Sequence, residues 1–414
     1  MINQLILKID TIIKAQLHEV LNDREFQSLR NCWLGLLYLA KLPGNNKNIC
    51  IKMLNSDWRS LCKDLISRGD LEHSSFFDKV YNQEFGHAGG QPFSLLIGNY
   101  EINIHNSTRQ ELHYLRLLGE VASVSFSPII LPLSAESFGY TDFTEHESTF
   151  NLSKLVSHSD YSVWRLLRQV SFSKFISLAL PKVLLNTFAE SVLKGSVYYD
   201  EPIWYWCFAH FFIAAVAIAS FNDTEWFSDL NGVNTDSVNA GLIPNISAKA
   251  FSNYSSIKVY RAMTEFVIYE HQERQFSDLG FIPVCHLSND NRAYFLNIQS
   301  IQEVDNPTDI ANNLSYLLCV CRFAHYLKII GRNTIGNYIN PNDCQRELKK
   351  WLSAYVASNT DLPENLRHRF PLKKAEVQVL LREGHTDKYQ CKIWLSPNLR
   401  TNQATTTILL TTEI

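Results

Sequence analysis

No two of the nine cysteines stand at C-x-x-C spacing, and no charged-then-apolar leader with a small-residue cleavage site precedes them. That pattern argues against a stapled secreted scaffold and sets the expectation of a cytosolic chain. Blocks of like charge are also missing. The 38 basic and 41 acidic residues leave a formal charge of −3, so no basic stripe points to nucleic acid. A P-loop, a G-x-S-x-G nucleophile elbow and an H-E-x-x-H zinc motif are absent, which removes the commonest nucleotide, hydrolase and metalloprotease signatures. No internal repeat, low-complexity segment or long flexible linker marks a sharp domain boundary. No cofactor and no metal are expected.

What is present is apolar and aromatic. With 46% hydrophobic residues, 414 residues can bury a large core and divide into two domains, or three. Aromatic residues reach 12%, including 8 Trp, a supply that large cores and large protein interfaces both use. The stretch IWYWCFAHFFIAAVAIASF, Ile203 to Phe221, nearly has the length of a membrane span. His210 in its middle, acids at both ends (Asp200, Glu201, Asp223, Glu225) and no Lys or Arg to orient it favour a buried helix, without membrane insertion.

The richest local pattern is EFGHAGGQPFSLLIGNYE, Glu84 to Glu101, with four glycines. A phosphate cradle needs a strand before the glycines and a helix after them. Here the order is reversed: Phe76, Phe77, Val80 and Tyr81 stand at helical spacing before the glycines, and the strand-like SLLIGNY follows. The spacing predicts a helix end, with Gly86 just past the C-terminus in a left-handed backbone and Pro92 blocking continuation. Gly86, Gly89 and Gly90 are thus read as structural glycines, and Glu84 and Glu101 as solvated ends of a helix and a strand.

From 48 to 134, strand-like and helical runs alternate: NICIKMLN, SDWRSLCKDLISR, SSFFDKVYNQEF, SLLIGNYEI, QELHYLRLLGEVASV and PIILPL. KFISLAL stops at Pro181, a polar interval runs from Asn222 to Ser256, and EFVIYEHQERQFSDLGFIPVCHL reads as strand, helix, turn and strand. This alternation is the signature of an α/β body, over 1–300, and the sheet of that body is expected to be mixed. The remainder, 301–414, reads as a smaller α/β domain: helices Asp309 to Ile330 and Asn342 to Ser358, then three alternating runs. Ala375, Val377, Val379 and Leu381 share one face, as do Tyr389, Cys391, Ile393 and Leu395, and then Ile408 and Leu410. Short turns, EGHTD and PNLRTNQ, make an antiparallel meander with open edges that can accept a strand from another chain.

Candidate chemistry is scattered. Cys319, Cys321 and His325 look like a ligand trio, but residues two apart on a helix point about 200° apart. Cys285 and His286, adjacent on a strand, face opposite ways and form no dyad with each other. On DCQRELKKWLSAYV, Leu348, Trp351, Leu352 and Tyr355 make the apolar stripe, while Arg346, Lys349, Lys350 and Ser353 lie largely away from it. That basic face is either solvated or docks an acidic partner.

In order along the chain, EFQSLRNCWLGLLYL, FFDKVYNQEFGHAGGQPFSLLIGNYE, SFGYTDFTE, YSVWRLLRQ, LALPKVLL, ERQFSDLGFIPVCH and RFAHYLKIIGRNTIGNYINPNDCQRELKKWLSAYV resemble one family, the large subunit of the type VI secretion contractile sheath. The resemblance covers roughly residue 12 to the C-terminus. It implies a contractile-sheath protomer without an active site, working in the bacterial cytoplasm. Its implied partners are a small sheath subunit, neighbouring protomers, an inner tube of hexamers, a baseplate, and an AAA+ ATPase that disassembles the contracted sheath. On that reading residues 1–300 pair with the small subunit, and 301–414 accept strands and face the inner tube. Val377, Val379, Ile393, Leu395, Ile408 and Leu410 are expected at the strand-exchange interface, and Arg346, Lys349 and Lys350 against the inner tube.

Two departures stand out. Family members carry a longer N-terminal segment, including a donated strand, before the helix that here begins near Leu5. The expectation is a truncation or a divergent paralogue. Between Asn222 and Ser256, DLNGVNTDSVNAG is polar where the family is often glycine-rich. The alternatives are a sheath-derived cap or regulator that pairs without polymerising, and a soluble enzyme using Cys285, His286 or His325.

Overall fold

The computed structural model describes residues 2–66, 70–87, 89–105, 109–141, 143, 152–185, 204–227, 230–232, 240–246, 250–251, 259–260, 263–286, 292–304, 312–334, 341–357, 370–381, 389–397 and 408–413. The turn EGHTD, all of PNLRTNQ but Pro397, and most of DLNGVNTDSVNAG lie outside them.

Two helices open the chain, α1 (Ile2–Asn22) and α2 (Arg24–Lys41). Asp23 separates them, its carboxylate accepting the Phe26 N–H at 2.8 Å as an N-cap. NICIKMLN, expected as a strand, is not one, and residues 49–57 form no ladder. Side chains pin this segment instead: Lys52 reaches Glu84, and the Tyr100 hydroxyl donates to Ser56 O at 2.6 Å. An extended pattern becomes a strand only where another strand lies alongside it. Helix α3 (Trp58–Ile66) follows.

The body is built on four parallel strands in sequential order: β1 (Leu96–Ile97), β2 (Ile129–Pro132), β3 (Ile176–Leu180) and β4 (Phe281–Pro283). Helix α4 (Arg109–Ser125) crosses from β1 to β2, and α5 (Ser162–Arg168) lies between β2 and β3. Helices α6 (Ala209–Thr224) and α7 (Glu270–Asp278) lie between β3 and β4. Every residue of β2, β3 and β4 is buried, as expected of a parallel sheet covered on both faces. Short antiparallel pairs, Val183–Leu184 with Trp206–Cys207 and Cys285–His286 with Ala293–Tyr294, make the body mixed. EFVIYE, expected as a strand, forms no ladder; a single bridge, Val183 to Thr264, stands just before it.

Of the apolar run expected as a buried helix, Ala209 to Phe221 lies in α6, most of it inside the body core, while Trp206–Cys207 is a short strand instead. Among the described residues, the helix with the length and composition to cross a bilayer is a different one, Leu314–Arg332, and 72% of it is buried within the protein. This segment belongs to α8 (Leu314–Thr334). It packs with α9 (Pro341–Ser353) on an antiparallel sheet of β5 (Leu372–Leu381), β6 (Tyr389–Pro397) and β7 (Ile408–Glu413), with β6 central. The expected meander is therefore present.

Helix α8 is apolar nearly all round because it serves two cores. Leu314, Leu317, Leu318 and Cys321 join the body core, while Tyr316, Cys319, Val320, Phe323, Ala324 and Leu327 join the core of the terminal unit. Cys319 and Cys321 therefore face different cores, as the helical wheel requires.

Candidate assembly surfaces

The glycine turn closes a helical stretch, 75–86, whose middle, Asp78–Asn82, is π-helical. Gly86 is not the left-handed residue. It sits in the last helical turn, and the left-handed backbone falls at Gly89, φ +86°. The usual glycine cap is unnecessary because Arg332 of α8 supplies the donors, its Nη1 reaching Phe85 O at 3.0 Å and His87 O at 2.5 Å. Gly90 answers to space: a Cβ there would lie 2.2 Å from the Glu84 carbonyl oxygen.

Glu84 is no solvated end. It is 9% exposed, with one carboxylate oxygen 2.5 Å from Lys52 Nζ and the other accepting the Gln91 N–H at 2.7 Å. Both oxygens are engaged, whereas Glu101 is exposed as expected.

One side of α8 seats the turn and its surroundings. The Arg322 guanidinium lies over Phe221 (4.8 Å) and Trp226 (4.4 Å) and donates to the carbonyl of Glu225, which ends α6 with a left-handed backbone. His325 Nε2 meets Ser125 O at 3.0 Å, and its ring centroid is 5.5 Å from that of Phe85. Burial pushes this histidine down to about 4, so it is neutral at pH 7 and donates to the carbonyl. Lys328 Nζ sits 4.7 to 5.0 Å from the rings of Tyr81, Phe85 and Phe126 and donates to Val124 O at 3.3 Å. Desolvation lowers it to about 8. Together these side chains join the terminal unit to the glycine turn.

The enzyme alternative finds unreactive groups. Desolvation, then the charge of Glu273, pushes the Cys285 thiol up to about 12, and burial lowers His286. A thiol so raised is hardly ever a thiolate at pH 7. His210 is fully buried beside the Phe211 ring, 4.3 Å away, and its burial lowers it to about 3. Among the described residues, no group of three or more His, Cys, Asp or Glu is placed to hold a metal ion.

The outward surfaces differ from the expected set. Val377, Val379, Ile393 and Leu395 point into the terminal unit's own core, so an added strand would meet edge backbone rather than these side chains. Ile408 and Leu410 lie on β7, in register with Leu395 and Ile393. The β5 edge is partly occupied already: Ala357 N–H donates to Leu372 O, and Val379 N–H donates to Gln345 Oε1 at 3.2 Å. Arg346, Lys349 and Lys350 are exposed along α9, with Arg346 paired to Asp343 at 2.7 Å.

The residue pattern had left one surface unassigned. Helix α1 has no buried residue, and Ile2, Ile6, Ile9, Ile13, Leu17 and Val20 recur along it at steps of three and four. Ile2 is 74% exposed. The band continues onto α2 through Phe26, Leu29, Trp33 and Leu37, while Leu34, Tyr38 and Leu39 anchor α2 in the body core. The α1 spacing is that of a helix seam awaiting a partner, and it was readable by the same periodicity used elsewhere.

Residues 3–302 match the family described as EvpB/VC_A0108, tail sheath N-terminal domain, and residues 303–414 match its tail sheath gpW/gp25-like domain. The chain is 29% identical over 439 residues to the type VI secretion system sheath protein TssC1 of Pseudomonas aeruginosa, covering all of this chain and 86% of that protein. Among solved structures it is similar to the contracted sheath complex of an extracellular contractile injection system, PVC, with TM-score 0.38 and 11% identity over 89% of this chain and 84% of that one. The sheath tail protein of Desulfitobacterium hafniense gives TM-score 0.34 and 9% identity, covering 73% and 59%.

Proposed function

The chain belongs to the EvpB/VC_A0108 tail sheath family and is a structural sheath subunit rather than an enzyme; from that premise we propose that it is the large subunit of a type VI secretion sheath. It pairs with a small sheath subunit through α1 and α2, and the pairs stack with neighbouring protomers into a tube around inner-tube hexamers in the bacterial cytoplasm. Contraction propels the inner tube and its effectors. The baseplate seats the assembly, and an AAA+ ATPase recovers subunits from the contracted state.

The observation that carries this reading is α1, a helix of 21 residues whose apolar seam is exposed along its length. Monomers rarely leave so much contiguous apolar surface uncovered. The occupant is a helix of the small subunit, because apolar steps of three and four accept another helix by knobs-into-holes packing. In the terminal unit, the free part of the β5 edge supports strand exchange by main-chain hydrogen bonds. Arg346, Lys349 and Lys350 form the proposed inner-tube contact.

Co-expression with the small subunit, followed by negative-stain electron microscopy, tests the proposal. Tubes are expected. A soluble heterodimer without tubes would point to the cap or regulator, and no complex would overturn the reading. Reversing all three α9 charges should abolish growth of the sheath around the inner tube; unchanged assembly would remove that contact.

A further inference from the structure

Two cysteines in the terminal unit meet. Cys344 lies in the first turn of α9, and Cys391 lies on β6, the central strand. Both are free thiols buried in the same core, and their side chains hydrogen-bond to each other. The backbone holds them there by an independent route. Gln345, next to Cys344, takes the Val379 N–H at 3.2 Å, and Val379 is the register partner of Cys391. Leu348 and Leu352 continue the contact of α9 with the sheet.

We infer that Cys344 and Cys391 are a redox pair, which a two-electron oxidant of the hydroperoxide class joins into a disulfide that pins α9 to the central strand of the terminal sheet. The inference rests on the packing of this unit and not on the sheath reading. Cys344 is the attacking group, because its place in the first turn of α9 favours its thiolate, and the hydrogen bond from the Cys391 S–H acts in the same direction.

The Cys344 thiolate attacks one peroxide oxygen, and the O–O bond breaks. The hydroxide that leaves takes up the proton the thiol released, giving water and a sulfenic acid on Cys344. The Cys391 sulfur then displaces the sulfenic oxygen, which departs with the Cys391 proton as a second water. With hydrogen peroxide, two thiols and one peroxide become one disulfide and two waters, each sulfur having lost one electron; an organic hydroperoxide leaves as its alcohol in place of the first water. A dithiol reductant reverses the step by exchange.

The experiment uses the full-length protein, titrated with hydrogen peroxide, quenched, denatured, alkylated and digested without reductant for peptide mass spectrometry. The expected result is a linked Cys344–Cys391 peptide pair, loss of two of the nine alkylatable thiols at low oxidant, and full recovery after dithiothreitol. The linked form should also unfold at higher temperature than the reduced one. In Cys391→Ser, the link should vanish and Cys344 should proceed to the sulfinic acid. Three outcomes would overturn the inference in the wild-type protein, whether or not the variant folds: both thiols still alkylated once the exposed Cys50 has oxidised, either cysteine linked elsewhere, or separate over-oxidation of the two.

Discussion

Helices α1 and α8 are each 21 residues long and rich in Ile, Leu and other apolar side chains, yet α1 buries none of its residues and α8 is shared between two cores. The difference lies in what flanks them. Helix α8 has the body core on one side and the terminal sheet on the other, so its hydrophobic surface is satisfied within the chain. Among the described residues, helix α1 lies beside α2, and α2 spends its inner face on the body. Equal apolar content thus supports folding in one helix and, as proposed, association in the other.

The sharpest way to break the comparison is to make α8 behave like α1. Phe323→Ala removes a fully buried ring that stacks on Trp226 at 5.0 Å and should cost about 3–5 kcal/mol of stability, read by chemical denaturation. Retained stability would mean that α8 is not the joint core element. Next comes the seat of its basic end. Gly90→Val forces the Glu84 carbonyl away and should cost about 1–3 kcal/mol. No nucleotide affinity should be found before or after the substitution, and measurable ATP or GTP binding by the wild type would restore the cradle reading.

A pH profile gives a smaller effect. His325 has a folded pKa of about 4 against an ordinary 6.5, so below 6.5 the unfolded chain binds the proton first. Stability should therefore fall as pH drops from about 6.5 towards 4. His210, lowered to about 3, acts in the same direction, so the comparison must be with His325→Gln, which should flatten only part of the slope. An unchanged slope would show that His325 is not the buried neutral group described.

The smallest effect on the monomer is expected in α1. The double substitution Ile6→Asp, Ile13→Asp should leave the unfolding free energy within about 0.5 kcal/mol, because both positions are exposed. The same variant should lose the small subunit in a pull-down. Retained binding would move the pairing surface elsewhere.

Much of the fold was legible where one period dominated. β5 and β6 alternate, and both were readable from Val377, Val379, Cys391 and Ile393. The apolar runs at β2 and β3 were equally plain. NICIKMLN misled because β-like composition does not supply a neighbouring strand. Gly86 misled because local capping rules do not see Arg332, which arrives from 245 residues away at His87. Glu84 appeared solvated for the same reason, since its partner Lys52 is 32 residues distant. The basic face of α9 could be read, but a helix wheel does not name what touches it. Val377, Val379, Ile393 and Leu395 share a face as expected, yet that face turned inward because α8 and α9 needed covering too.

Consider finally how α8 grips its neighbours. Arg322 and Lys328 bind aromatic rings and carbonyl oxygens, which are quadrupoles and dipoles rather than ions. Such attractions die away over a much shorter distance than charge–charge attraction, and partly buried groups are little screened by dissolved salt. The grip should therefore hold almost equally in dilute and concentrated electrolyte. It should also be brittle under pulling, losing its strength steeply as soon as the rings begin to part, as a clasp does and a spring does not.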